Sequence, residues 1–316
     1  MNDGKPLVTI LINNYNYGRF LREAIDSALN QTYPHTEVIV VDDGSTDDSR
    51  EIIASYGHRI IPVLKVNGGQ SSAFNAGFAA SHGAWIFLLD SDDIFLSVKT
   101  QEVLKLAKQN PLAGLIAHNL EYCDACGGPI DFLPPPIREH KLVDDRRRVR
   151  QGKVTVLLPA TSGLCFRRSV LGQVLPMPEE LQGQPDNYVK FVALSLATAL
   201  LAPESLAIQR IHDRNHYTSC CKDSSEGTRL RQLRLSAEVG YHLRRDHPLL
   251  SRLAWKQYGR ILYQLASAKS EKARAVKAEI KERYSVVDRS LTCFFYVAAA
   301  FTKASVKGLL QGRFDG

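Results

Sequence analysis

The 316-residue sequence carries no GxGxxG turn after its first apolar run, which excludes the glycine-rich loop of dinucleotide-binding proteins at that place. Cysteines number six, at irregular intervals, the pattern of reduced thiols in a cytoplasmic protein rather than of a disulfide scaffold. Cys123-Asp124-Ala125-Cys126 has metal-ligand spacing. Its only possible mate, Cys220-Cys221, lacks that spacing, so the stretch reads as a turn with two inert thiols rather than a zinc site. A strong excess of one charge sign is lacking. Forty Lys and Arg against 33 Asp and Glu leave a formal net charge of +7, too mild to argue for nucleic acid but compatible with anionic ligands or a membrane surface. No secretory signal is legible, because Met1-Asn2-Asp3-Gly4-Lys5 leads straight into a strand. The apolar run before Lys303 falls short of the roughly twenty residues that span a bilayer. What remains is a chain with 44% hydrophobic residues, enough for one large or two medium domains with a sizeable core.

The most informative stretch is Trp85-Ile86-Phe87-Leu88-Leu89-Asp90-Ser91-Asp92-Asp93. Its first five residues are apolar without alternation, the mark of a strand covered on both faces in a largely parallel sheet. The strand stops at Asp90, Asp92 and Asp93. In open α/β sheets ligands bind at the carboxyl ends of strands. Carboxylates crowded there need a cation or repel one another. Asp90 and Asp92 offer hard oxygens suited to Mg²⁺ or Mn²⁺, ions that keep part of their shell for water or substrate phosphates. The competing reading is a solvated acidic turn in which Asp93 caps the next helix.

The preceding chain repeats one step. Leu7 to Ile12 reads as a buried strand ending at Asn13-Asn14-Tyr15-Asn16-Tyr17-Gly18, amides and rings able to stack on a nucleobase or to pack on the next helix. Phe20, Leu21, Ala24, Ile25, Ala28 and Leu29 have helical spacing. Glu37 to Val41 is a second strand, stopping at Asp42-Asp43-Gly44-Ser45. Ser45 or Thr46 can cap the helix after it, whereas Asp42 and Asp43 could accept a base imide N–H or a ribose hydroxyl. Ile60 to Val66 is a third strand. Asn67-Gly68-Gly69 then turns into a helix over Gln70 to Ser81, where two glycines could bring backbone amides to a phosphate. The step of about twenty-five residues per β–α unit is steady.

Val41-Asp42-Asp43-Gly44-Ser45, Asn67-Gly68-Gly69 with Asn75-Ala76-Gly77, and Leu89-Asp90-Ser91-Asp92-Asp93 stand in the order and spacing of glycosyltransferase family 2. The resemblance covers residues 7 to about 215. It implies an α/β GT-A fold, a Rossmann-like sheet flanked by helices. It also implies inverting, metal-dependent transfer from a nucleotide-diphosphate sugar, UDP- or dTDP-linked, to a glycan, lipid-linked or other hydroxyl acceptor. Asp43 resembles the carboxylate that bonds a pyrimidine, with Tyr15 stacking beside it and Asn14, Gln70 and Asn75 among the donor contacts. Asp90 and Ser91 match the ribose-side part of the DxD, and Asp92 its acid for Mn²⁺ or Mg²⁺. Arg210-Ile211-His212, after a strand expected over Ala202 to Gln209, resembles the late histidine that joins the metal or pyrophosphate. Asp186 matches the catalytic carboxylate, although Pro185 stands where the family often has Glu. Asp186 could equally cap the helix that begins there.

Val98 to Lys108 reads as a helix, Leu112 to Tyr122 as a strand, and Gly127-Gly128-Pro129 as the turn of a hairpin. Arg146-Arg147-Arg148-Val149-Arg150 is either a solvated loop or an acceptor-side loop that attracts phosphate. Thr161 to Ser169 resembles a strand and turn on the acceptor side. We therefore expect a glycosyltransferase domain over 1–225, with its nucleotide-sugar half in about 1–110 and its acceptor half in about 111–225. A helical C-terminal region over 226–316 follows, with helices at Leu230–Leu243, Leu249–Ala268 and Lys272–Tyr284. Residues 290–310 fit a peripheral membrane helix or a packing surface, including one for a homo-oligomer. Two further classes fit the scaffold: a non-catalytic nucleotide-sugar or glycan binder, which Pro185 favours, and a nucleotidyltransferase.

Overall fold

The computed structural model describes residues 5–131, 137–151, 153–181, 183, 185–213, 215, 226–251, 253–254, 258, 261 and 271–283. Strands β1 (Val8–Asn14), β2 (Thr36–Asp42), β3 (Ile61–Leu64) and β4 (Trp85–Asp90) run parallel, with β1 between β2 and β4. Helices α1 (Gly18–Leu29), α2 (Ser49–Ser55) and α3 (Gly69–Ala80) lie in the connections, as parallel pairing requires. All of β1 is buried, and β4 is buried from Trp85 to Leu89, as their unbroken apolar runs predict. β3 is a mostly exposed strand at the end of the sheet, where Pro62 costs no central ladder bond.

Helix α1 buries Phe20, Leu21, Ala24, Ile25 and Ala28 along the expected face. Each large aliphatic side chain so buried contributes about 1.5–3 kcal/mol relative to exposure. Helix α3 approaches the sheet closely at Gly77. A Cβ built there would lie 2.2 Å from Leu11 Cδ1 and 2.9 Å from Val41 Cγ2, so the small residue is what permits the packing.

After β4, a two-residue strand β5 (Ile94–Phe95) and helix α4 (Lys99–Gln109) lead to β6 (Ala113–Cys123). Then come β7 (Lys141–Val143), α5 (Arg146–Arg150), β8 (Leu164–Arg167), α6 (Arg168–Leu171), α7 (Pro185–Leu196) and β9 (Thr198–Arg210). The sheet order is β3-β2-β1-β4-β8-β6-β9-β5, with β7 also on β9. β8 is antiparallel to both β4 and β6, and β9 is parallel to β6. The stretch expected at the acceptor side therefore enters the middle of the sheet. The glycine turn closes back on β6 through Asp124 N to Gly128 O at 2.8 Å and Ile130 N to Tyr122 O at 3.0 Å, as expected for a hairpin. The arginine run forms a short helix rather than a loop.

Residues cluster into two compact units. The first comprises 1–146, 156–182 and 189–215, the second 147–155, 183–188 and 216–316. In the second unit α8 (Glu226–Asp246) and a helix over Glu271–Arg283 are joined by Arg234, whose Nε and Nη2 donate to Glu279 Oε2 at 3.1 and 2.7 Å. Leu233, Leu243, Val276 and Ile280 are among its buried residues. The stretch 290–310 lies outside the described residues. No helix among the described residues is long and apolar enough to cross a membrane.

Candidate active site

Strand register creates the site. Asn14 pairs with Asp42 across β1 and β2, and Asn13 pairs with Asp90 across β1 and β4. The segments after β2, β1 and β4 therefore leave the sheet at one edge, its carboxyl end. Asp43, Tyr15, Asp90, Ser91 and Asp92 come together there although their motifs are far apart in the chain.

Asp92 meets His212. Its Oδ2 lies 3.0 Å from His212 Nε2 and accepts the Asn215 side-chain amide at 3.2 Å. The contact depends on β5, whose Ile94 and Phe95 pair antiparallel with Ile208 and Ala207 of β9. That pairing lays the turn after β4 against the exit of β9. Arg210, itself buried, closes the arrangement. Its Nε donates to Asp92 O at 3.1 Å, its backbone N to Asp93 Oδ1 at 3.0 Å, and its Nη2 to Glu23 Oε2 at 2.5 Å. The His212 ring sits 5.0 Å from the Phe20 ring and 5.5 Å from that of Tyr17.

Asp93 does not cap a helix; α4 begins six residues later, after Val98. Instead Asp93 is buried and accepts Ser162 Oγ at 2.6 Å, while the same hydroxyl accepts Asp90 N at 3.1 Å. Burial, reinforced by the charges of Asp92 and Asp90, pushes the Asp93 carboxyl well above its ordinary range. Lys99 lies fully buried behind it. Its Nζ donates to Ser162 O at 2.8 Å and stands 3.3 Å from the Phe95 ring centroid. Burial pushes its ammonium down to about 7. Ser162, Lys99, Arg210 and Asn215 escaped sequence reasoning because their roles come from distant pairings. The available signal was a lysine at the start of the buried face of α4, which continues through Val103, Leu106 and Ala107.

Asp43 occupies a cage. Its Oδ1 accepts Lys65 Nζ at 2.7 Å and Gly68 N at 2.9 Å, and its Oδ2 accepts Gly69 N at 2.7 Å. Gly69 has φ of +86°, which glycine adopts without the Cβ penalty. The two glycine amides thus serve Asp43, not a phosphate, a correction of the sequence reading. Asp42 is also accounted for structurally. Burial would raise its pKa, but bonds from Ser45, Arg50 and Asn14 outweigh burial and hold it below the usual range. Ser45 and Thr46 do not cap α2; its N-cap position is Asp48, and Asp47 Oδ1 accepts Ser49 N at 3.1 Å.

Asn14 is buried and donates to Asp42 Oδ2 at 3.0 Å, so it braces the edge. Tyr15 is exposed, with 46% of its surface accessible. Gln70 is half-buried in the first turn of α3. Asn75 has another task than the one expected: its amide exchanges bonds of 2.9 Å with Met177 O and N and reaches Glu179. It tethers the segment before α7. Ser91 is buried and Asp90 half-buried beside Asp92. Asp186 lies half-buried in the first turn of α7 and belongs to the second unit. Cys123 is buried and Cys126 exposed in the turn; Cys220 and Cys221 lie outside the described residues.

Among the described residues no three His, Cys, Asp or Glu side chains converge as metal ligands. The fitting pair is Asp92 and His212, one carboxylate oxygen and one imidazole nitrogen 3.0 Å apart. Such a pair suits an ion that completes its shell with substrate phosphates. Its nitrogen favours Mn²⁺ over the strictly oxygen-seeking Mg²⁺.

The family model for glycosyl transferase family 2 matches residues 9–174, more than half of the chain. A glycosyltransferase of Nostoc sp., itself uncharacterised, is 35% identical over 225 residues, 69% of either chain. The uncharacterised glycosyltransferase EpsJ of Bacillus subtilis is 42% identical over 110 residues, 34% of this chain and 32% of its own. Among solved structures, S. aureus TarS in complex with UDP-GlcNAc superposes with a TM-score of 0.55 at 17% identity, over 85% of this chain and 83% of that one. A mannosyltransferase from Pyrobaculum calidifontis in complex with GDP-Man and Mn²⁺ superposes at 0.53 and 17% identity, over 97% and 88%. At such identities the likeness concerns the fold, a helix-flanked GT-A sheet. A family match over more than half of the chain, on motifs that this fold gathers at one sheet edge, makes the protein a member of glycosyltransferase family 2.

Proposed function

We propose that the protein transfers a sugar from a UDP- or dTDP-linked donor to a hydroxyl of a glycan, lipid-linked or other acceptor, inverting the anomeric centre. The observation that carries the reading is the Asp92–His212 pair at the sheet edge that also presents Asp43. The neighbours solved with UDP-GlcNAc and with GDP-Man support a nucleoside-diphosphate sugar as donor.

A carboxylate has about four lone-pair sites, and Asp43 uses three of them. The fourth accepts a pyrimidine imide N–H, and the exposed Tyr15 ring stacks on the base. Asn14 supports this slot and Gln70 lies beside it on α3. Asn75 acts on the donor through the segment it tethers. Asp90 and Ser91 serve the ribose side. Asp92 and His212 would hold Mn²⁺ or Mg²⁺, and the ion when bound neutralises charge on the nucleoside-diphosphate leaving group. Asp186 accepts the proton of the acceptor hydroxyl as its oxygen attacks the anomeric carbon from the side opposite the leaving group. One displacement inverts the centre. Residues 1–225 form the transferase domain in this reading, with the donor half in about 1–110 and the acceptor half in about 111–225; residues 226–316 form a helical appendix.

The test is a thermal-shift screen of nucleotide-sugars with Mn²⁺, since a ligand of the folded state raises its melting temperature. Turnover of the best donor is then followed by NMR of the product anomer. Inverted product with release of nucleoside diphosphate is expected. Retained configuration, or release of pyrophosphate, overturns the proposal.

A further inference from the structure

We infer that Asn13 binds the 2′-hydroxyl of the donor ribose and makes the protein prefer a ribonucleotide over a deoxyribonucleotide donor. The inference rests on the reading of Asp43 and Asp90 as base and ribose contacts. Only 9% of Asn13 is exposed. Its side-chain Oδ1 is buried and has no hydrogen-bond partner among the described residues. An acceptor left so costs stability, and an orphaned group of this kind calls for an explanation that packing does not give.

Strand pleating tells where the amide points, because alternate positions share a face. Leu11 and Val41 form the face that receives Gly77 of α3. Asn13 comes two residues after Leu11 and stands opposite Val41 in register, so it lies on the same face. Asp90 is its register partner on the other side. Asp43 belongs to that side of the sheet too, since Gly68 N and Gly69 N at the start of α3 donate to its carboxylate. Along the sheet edge the order is therefore Asp43, Asn13, Asp90. Asn14 points the other way and donates to Asp42 Oδ2 at 3.0 Å and to Ser45 Oγ at 3.2 Å. The pleat thus divides two adjacent amides, one bracing the edge and one facing the site.

A pyrimidine nucleoside carries its polar groups in the same order. The imide N–H goes to Asp43. The 2′-carbon is bonded to the carbon that bears the base, and the 3′-carbon comes next. With the 3′-hydroxyl at Asp90, the 2′-hydroxyl falls at Asn13, one strand nearer the base; neighbouring strands lie about 4.8 Å apart. A hydroxyl donates one hydrogen bond and accepts two, so it serves an amide whichever of the amide's two ends it meets. A site with such a buried group rejects an analogue that lacks the hydroxyl, because the amide is then left unpaired.

The experiment measures binding of UDP, 2′-deoxy-UDP and 3′-deoxy-UDP to the full chain by calorimetry with Mn²⁺, and the melting temperature of the free protein. The unmodified protein is expected to bind UDP about tenfold or more tightly than 2′-deoxy-UDP. Asn13→Leu is close in size and removes the amide. It is expected to weaken UDP about tenfold, to leave 2′-deoxy-UDP nearly unchanged and to keep the preference for the 3′-hydroxyl. Its melting temperature should hold or rise, because an apolar group there has no unmet hydrogen bond. Asn13→Ala, which cannot overfill the site, should show the same selective loss. Equal binding of UDP and 2′-deoxy-UDP by the unmodified protein overturns the inference. So do variants that weaken both nucleotides alike and melt lower, the mark of a purely structural amide. Competition with ADP and GDP separates the two readings. If UDP and 2′-deoxy-UDP bind alike but better than both purine diphosphates, only the role of Asn13 falls. If the purine diphosphates bind as well as UDP, the pyrimidine slot falls with it.

Discussion

The Arg210 backbone amide donates to Asp93 Oδ1 at 3.0 Å, joining residues 117 positions apart. This bond and the β5–β9 pairing clamp the Asp90-Ser91-Asp92 turn onto the end of β9. Asp92 projects from one side of the clamp and His212 from the other, so their meeting follows from backbone pairing rather than from long flexible side chains. A site built on strand ends in this way keeps its geometry with little entropy left to lose on binding.

Asp92→Ala should abolish transfer and remove Mn²⁺-dependent nucleotide binding. It also takes away the carboxylate oxygen that faces His212 Nε2 and accepts the Asn215 amide. The fold should persist, because the apolar residues of β4 are untouched. Calorimetry with Mn²⁺ and the nucleotide decides the matter; full affinity in the variant would refute a metal role.

UDP and dTDP should bind better than ADP and GDP. Only one acceptor site remains on Asp43, and a pyrimidine imide N–H matches it; adenine has no such N–H, and guanine, which has one, brings two rings to a slot sized for one. Competition among the four diphosphates, run on the unmodified protein and on Asp43→Asn, measures this. Equal binding of all four would sink the slot.

Asp186→Asn should lower transfer by about a hundredfold to ten-thousandfold, the span of general base catalysis. Melting temperature and donor affinity should hardly change, because Asn caps a helix as well as Asp. If Asp186 only caps, turnover stays near normal in the Asn variant, and Asp186→Ala costs about 0.5–2 kcal/mol of stability.

Stability should depend on pH through Lys99. Its folded pKa is pushed down to about 7 by burial, from an ordinary 10.5. Between those values the unfolded chain binds a proton that the folded chain does not. The group therefore makes stability rise with pH across that window, by at most about 1.4 kcal/mol per pH unit. Urea unfolding at pH 7 and pH 9 should show the rise, and Lys99→Met should flatten it. Equal slopes for the two proteins would show that Lys99 does not titrate there.

Local pattern was enough for the strands and helices of the first ninety residues. Unbroken apolar runs such as Trp85 to Leu89 demand cover on both faces, and the 3.6-residue spacing from Phe20 to Ala28 demands one buried face. The acidic stops after β2 and β4 were legible too, since a strand end at a sheet's carboxyl edge is a place rather than a contact. What only the tertiary structure decided was which partners those acids keep. Asp93 went inward to Ser162 and Arg210, while Asp92 stayed at the edge with His212. Gly68 and Gly69 turned their amides to Asp43, and Asn75 turned its amide to Met177. Sequence spacing reports periodicity, which acts over one turn or one pleat. Hydrogen bonds between residues a hundred positions apart are set by strand order and register, and these follow from how the whole sheet buries its apolar faces.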